Sequence, residues 1–436
     1  MGIVLTNALL TDMDPPRVES GALRLANGLI AARAADLTPQ PGDEVMDCGG
    51  AVVLPGMVNG HTHLYSALAP GMPAPPVAPR NFLEILRFVW WRLDRALDAE
   101  SIEMSALVGA LDALHCGTTT LVDHHASPNA IAGSLDRIEA GIAAAGLRGV
   151  LCYETTDRQG RDGREAGLEE NRRYLSLCAH RRDGRFAALV GGHAAFTCDA
   201  DTLEAISRLA EQFDAGVHIH AAEDGCDDAI CREKYGRGLV ERLTDAGLFN
   251  SKTILAHAVH LAPEGIERAN AAALTVAHNT RSNMNNAVGY APLNRLRCPV
   301  ALGTDGIGSD MWTECATAWF KSRDGGAGRS PADILAMLAQ ASRRASLALG
   351  IPLGRLQPGS AADIVITDYR PATPLQTENL AGHLIFAIGA RYVRHVLVGG
   401  KWKLRDRQAV SLDEPAVRRA AMDCARGLWQ RMAALD

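Results

Sequence analysis

The chain has 436 residues, 44 of them Lys or Arg and 50 Asp or Glu, for a net charge of −6 at neutral pH. That balance argues against a nucleic-acid partner, and 47% hydrophobic with 22% charged residues excludes disorder. Ten cysteines without a Cys-x-x-Cys pair exclude a disulfide scaffold and a paired-thiolate metal site.

In chain order, 3–10, 22–31 and 44–47 read as short strands. No Lys or Arg precedes Arg17, and Asp12 and Asp14 stand there instead, so a signal peptide's basic region is missing and a cytoplasmic protein is expected. Residues 48–79 contain no charged side chain, but six prolines there rule out a bilayer helix, so no membrane partner is expected.

From there on, short apolar β-branched runs alternate with stretches of helical period. The runs are 52–63, 118–125, 148–155, 186–194, 215–223, 253–260, 273–279 and 299–306, with helices predicted at 99–115, 128–145, 199–213 and 263–269 among others. Eight such units predict an α/β fold built on a (β/α)8 barrel. Further strands at 363–368 and 392–403 predict that both chain ends join in a composite β-sandwich, and 414–435 reads as an amphipathic helix. The expected division is 1–54 with 360–412 as sandwich, 55–359 as barrel and 413–436 as terminal helix.

Nearly every barrel run ends in a polar residue: His61 and His63, Asp123 to His125, Glu154, His193, His220 with Glu223, His257, His278 and Asp305. In a barrel these ends gather at one mouth, where chemistry is done. His61 and His63 lie two apart on a strand and so point the same way, offering two imidazoles to one ion. His220, His257 and Asp305 add donors on the same rim, with His218 as a competitor for the ligand role whose ordinary reading is a deeper core histidine. No lysine precedes Lys234, so a carbamylated lysine bridging two metals on strand four is excluded and one divalent ion is expected. Nitrogen and oxygen donors without thiolate suit zinc, with Fe(II) or Mn as alternatives.

These residues resemble the amidohydrolase superfamily, in its cytosine deaminase, guanine deaminase and chlorohydrolase-like branch. The likeness rests on Leu54-Pro55-Gly56-Met57-Val58-Asn59-Gly60-His61-Thr62-His63, Gly117-Thr118-Thr119-Thr120, His218-Ile219-His220-Ala221-Ala222-Glu223, Ala256-His257-Ala258-Val259-His260 and Gly303-Thr304-Asp305-Gly306. Within the branch the chain is most similar to the SsnA type of aminohydrolase, through Trp90-Trp91-Arg92-Leu93-Asp94-Arg95, Asp123-His124-His125-Ala126-Ser127 and Ser282-Asn283-Met284-Asn285-Asn286-Ala287-Val288-Gly289. One departure stands out: where deaminases of the branch often carry Cys-Pro after the strand-seven histidine, this chain has His278-Asn279-Thr280-Arg281.

The resemblance implies hydrolytic deamination of an amino-substituted nitrogen heterocycle of purine, pterin, pyrimidine or triazine type, by water that a divalent ion activates. His61, His63, His220 and Asp305 would hold the ion. Asp305 would also accept the water's proton, Glu223 would protonate the ring nitrogen, and His257 would hydrogen-bond the attacking oxygen. Substrate contacts are expected from His193, Arg281, Asn283, Trp90 or Trp91, and one of His124 and His125, with His125 favoured. A homodimer is implied. Two rival readings are a cyclic amidase opening a ring C–N bond and a catalytically retired binding barrel.

Overall fold

The computed structural model describes residues 2–435. Eight parallel strands form the barrel: Met57–Thr62, Thr118–His125, Arg148–Tyr153, a fourth strand broken at Leu189 into Phe186–Ala188 and Val190–Ala194, then Val217–Ala221, Ile254–His257, Thr275–His278 and Val300–Leu302. Hydrogen bonds divide them into a four-stranded and a five-stranded sheet. At one seam, Leu189 N donates to Leu151 O (3.0 Å) and Thr155 bridges Gly192. At the other, Thr304 and Asp305 N donate to His61 O at 2.9 and 3.0 Å, and Thr62 bridges Asp305. This second seam sets the first and last strand ends side by side, which brings Asp305 to the His-x-His pair.

Both chain ends share one eight-stranded sheet in which Glu44–Pro55 pairs antiparallel with Ile364–Thr367. Leu5, Leu10, Leu23, Leu25 and Val53 of the N-terminal half and Ile364, Ile366 and Leu397 of the C-terminal half fill a common core, so the expected sandwich is a single sheet folded around its own apolar layer. The run 52–63, read as one strand, is two. Glu44–Pro55 ends in this sheet and Met57–Thr62 begins the barrel. Gly56 makes the switch, because a Cβ there would come within 2.2 Å of Thr119 Oγ1.

Asp363 ties the two units together. Its carboxylate accepts from Arg148 Nε at 2.7 Å, Arg148 Nη2 at 2.9 Å and Gly399 N at 2.8 Å, with both side chains buried. Removing one partner of a buried ion pair leaves the other uncompensated. Asp363→Ala is therefore expected to cost about 3–5 kcal/mol in a denaturant titration. Asp363→Asn, which keeps the acceptor oxygen, is expected to cost less.

Helix starts follow local capping. Asp98 and Ser101 close a capping box on Ala99–His115, and Ser330 with Asp333 does the same for Pro331–Leu349. The helix predicted over 128–145 begins only at Ser134, because Gly133 takes a left-handed φ of 76° immediately before it. Between the first two barrel strands an insert runs through Phe82–Ile85, a wide π turn at Leu86–Trp90 and Trp91–Ala96. The terminal helix Glu414–Ala433 braces this insert: Arg431 Nε donates to Ala96 O at 2.8 Å, and Arg92 Nη2 to Met432 O at 3.0 Å. Among the described residues no helix is long and apolar enough to cross a membrane.

Candidate metal centre and active site

Four imidazoles converge at the barrel mouth, and in each the Nδ1 side is occupied by protein. His61 Nδ1 meets His218 Nε2 at 2.9 Å. His63 Nδ1 donates to His124 O at 2.5 Å, His220 Nδ1 to His193 O at 2.9 Å and His257 Nδ1 to Asn283 Oδ1 at 2.9 Å. Bonds of this kind fix the ring and aim its other nitrogen. The Nε2 atoms of His61 and His257 are buried without a hydrogen-bond partner. Ligand atoms of His61, His220, His257 and Asp305 all lie within 4.8 Å of one another. His63 Nε2 lies 2.9 Å from Asp305 Oδ1 and 3.1 Å from His220 Nε2, and His61 Nε2 lies 3.4 Å from the same carboxylate oxygen.

The electrostatics fit a cation. Desolvation holds the His61 imidazole down to about 3 and His220 well below its ordinary value, so both present lone pairs. For His63 the same desolvation is outweighed by the hydrogen bond and charge of Asp305, which push it up to about 9. Desolvation of Asp305 is likewise overcome by the adjoining imidazoles of His61 and His63, which hold its carboxyl well below the usual range. An anionic carboxylate beside the lone pairs of His61 and His220 is a donor set that a divalent ion satisfies, and such an ion would take the place of the proton that Asp305 draws onto His63. Ser282 Oγ donates to Asp305 Oδ2 and orients it. Asp305, His257 and Ala222 adopt left-handed φ of 54°, 75° and 53°, conformations that non-glycine residues hold only where their surroundings impose them.

A cavity opens over this cluster, lined by Glu223, Asp227, Ser282, Asn286 and Asp305 together with Glu154 and His193. Tyr65, Phe82, Leu86, Trp90, Trp91 and Phe196 also wall it. Glu223 Oε1 accepts from Asn286 Nδ2 at 3.2 Å, and Oε2 lies 3.4 Å from His257 Nε2. Burial, reinforced by the charge of Asp305, pushes the Glu223 carboxyl well above its ordinary range.

Of the residues expected to touch substrate, His193 and Trp90 line the cavity and three do not. Arg281 turns away: its Nε donates to Glu314 Oε2 at 2.6 Å and its Nη2 to Gly308 O at 2.8 Å. Asn283 is spent on His257. His125 points to Ser127 Oγ at 2.9 Å and packs beside Tyr65 and Tyr153, whereas His124 faces the cluster, its ring 4.7 Å from both His218 and His220. The cavity instead uses Ser282 and Asn286, which stand four apart at the Thr280–Asn285 helical turn, a spacing that puts them on one face.

A family model described as the amidohydrolase family matches residues 52–403. The chain belongs to the amidohydrolase family. This amidohydrolase is 29% identical over 439 residues to the 5'-deoxyadenosine deaminase of Methanosarcina mazei, with 99% of each chain covered. It is 30% identical to the 5-methylthioadenosine/S-adenosylhomocysteine deaminase of Pelotomaculum thermopropionicum, covering 98% of this chain and 99% of that one. Among solved structures, a zinc-bound adenosine deaminase from Xanthomonas campestris superposes with a TM-score of 0.83 at 24% identity, covering 99% of both chains. The zinc complex of atrazine chlorohydrolase TrzN from Arthrobacter aurescens superposes with a TM-score of 0.81 at 20% identity, covering 97% and 100%. These likenesses bear out the barrel with its composite chain-end sheet.

Proposed function

We propose that this amidohydrolase is a hydrolytic deaminase of an amino-substituted nitrogen heterocycle, working with one divalent ion, zinc in the first instance. The observation that carries the reading is the convergence of His61, His63, His220 and Asp305 beneath a cavity that Glu223 also faces. Curated relatives covering the whole chain are deaminases of adenosine derivatives, which supports C–N hydrolysis rather than another reaction class.

His61, His63, His220 and Asp305 would hold the ion, which when bound supplies a Lewis acid that makes water a nucleophile at neutral pH. Asp305, oriented by Ser282, accepts the proton that water gives up. Glu223, kept protonated by its surroundings, delivers a proton to the ring nitrogen beside the carbon under attack. Asn286 fixes one Glu223 oxygen and leaves the other toward His257, whose bare Nε2 can accept a hydrogen bond from the O–H of the attacking water. The proton held by Asp305 then passes to the amino group, which leaves as ammonia, and the hydroxyl left on the carbon returns its proton to Glu223 as the carbon becomes a carbonyl. Trp90, with its ring edge over Gly306, gives a flat ring an apolar face to lie on.

We further place the enzyme in the cytoplasm, as a homodimer with a small-molecule substrate and neither nucleic acid nor membrane as partner. The chemistry is tested by metal analysis joined to an ammonia-release screen over amino-purines, pterins, pyrimidines and triazines. The expected result is about one zinc per chain and one ammonia per substrate consumed, as the proposed reaction requires. Ring opening to a new carboxylate without ammonia would establish a cyclic amidase instead.

A further inference from the structure

Glu154, at the end of the third barrel strand, has no part in the chemistry above, yet it lines the cavity with His193 and is 3% exposed. Three side chains stand close to its carboxylate. His193 Nδ1 lies 2.6 Å from Thr197 Oγ1, whose own hydrogen goes to Ala194 O, so the proton between them sits on Nδ1 and Nε2 is a bare lone pair. That Nε2 lies 3.4 Å from Glu154 Oε1. His124 Nε2 donates to His218 O at 3.1 Å, which leaves a buried Nδ1 without a hydrogen-bond partner, 3.3 Å from Glu154 Oε2. Arg158 forms a longer ion pair with Glu154 at 3.7 Å, while its closer bond goes to Asp94 at 2.8 Å and its guanidinium stacks 4.7 Å over Trp91. The Glu154 carboxylate and the bare His193 Nε2 therefore present two acceptors side by side at the cavity wall, where a donor on a bound ring can pair with them.

We propose that Glu154 and His193 form the specificity edge of the cavity, accepting hydrogen bonds from ring N–H donors of the substrate. The proposal rests on the deaminase reading and narrows it to a substrate class. Glu223 serves a bare ring nitrogen on one flank of the reacting carbon, and Glu154 with His193 serves an N–H on the other. The preferred substrates are cyclic 2-amino lactams, in which the amino-bearing carbon stands between one bare nitrogen and one N–H. Aminopurines of the adenine type, where that carbon is flanked by a nitrogen and a carbon, leave the acceptors unpaired. Sites built to bond a polar group reject analogues lacking it far more strongly than apolar pockets reject a missing methylene.

Two pairs test this on the zinc-loaded protein: guanine against adenine, and the isomers isocytosine and cytosine. Ammonia release is expected to favour the first of each pair by at least about 10²-fold in kcat/KM. Glu154→Ala should remove about 10-fold or more from kcat/KM for guanine, mainly through KM, and change adenine by less than about threefold. Glu154→Gln should restore part of the loss, since its carbonyl still accepts but without charge. Calorimetry with xanthine, which cannot react, should show the same order of variants; because Glu154 lies within 4.8 Å of the His63 and His220 donor atoms, zinc content is measured alongside, and a loss of zinc in Glu154→Ala that parallels the loss of activity would overturn the proposal. Equal or better turnover of adenine and cytosine, or equal losses on both probes in Glu154→Ala, would overturn the specificity edge while leaving the deaminase standing. Release of ammonia from neither class, with zinc bound, would remove both.

Discussion

Glu223→Gln is expected to lower ammonia release by about 10²- to 10⁴-fold, the span that a positioned general acid contributes, with zinc content unchanged. Glutamine keeps the size of the side chain and an oxygen for the Asn286 bond, so the cavity should retain its shape. It loses the one property the proposed step needs, a proton that can leave. Because the shuttle acts as the ring nitrogen becomes basic, the loss should fall on kcat and kcat/KM alike, with KM little altered. Glu223 stands outside the donor group of His61, His220, His257 and Asp305, which is why the metal should stay. Turnover within a few-fold of wild type would move the shuttle to another carboxyl. Asp227 is the nearest candidate: it accepts from Glu223 N at 3.0 Å, and burial with the charge of Glu223 raises it to about 8.

The barrel was legible because its signals are local. A period of two in His61-Thr62-His63 announces a shared face, and polar residues at the ends of apolar runs announce a common mouth. Helix 99–115 agrees with the structure to the residue because Asp98 and Ser101 are close in sequence and cap it themselves. What could not be read depends on partners far along the chain. Arg281 looks like a free cation in a loop until Glu314, 33 residues later, claims it. His124 and His125 differ only in parity, and the register that turns His124 inward is set by pairing with the third strand, His124 opposite Cys152. Glu154 ends an apolar run like any other polar residue. Its place beside an acceptor nitrogen exists only once His193 arrives from the neighbouring strand with its own hydrogen bond already made.

His220→Ala is the substitution that tests the centre itself. His220 Nε2 lies 3.1 Å from His63 Nε2, and its ring centroid is 5.2 Å from that of His61 and 5.4 Å from that of His257, so it stands in the middle of the donors. Its loss should leave zinc below about a tenth of an equivalent per chain under conditions that saturate the wild type, and ammonia release should vanish with it. The protein should still fold, because Val58, Val122, Val150, Ile254, Ala256 and Ala277 build an apolar cluster with helix Pro331–Leu349 that owes nothing to the metal. Zinc added to wild type at about 100 times its Kd should raise stability by about 2.7 kcal/mol, and His220→Ala should show none of that gain. His218→Ala supplies the contrast, since His218 supports His61 through Nδ1 without belonging to the donor group. It should weaken zinc by about 10- to 100-fold, as loss of a supporting partner does, and recover activity when zinc is raised. If His220→Ala bound zinc as tightly as His218→Ala and recovered in the same way, His220 would be a supporting residue and the ion would have to sit elsewhere in the cluster.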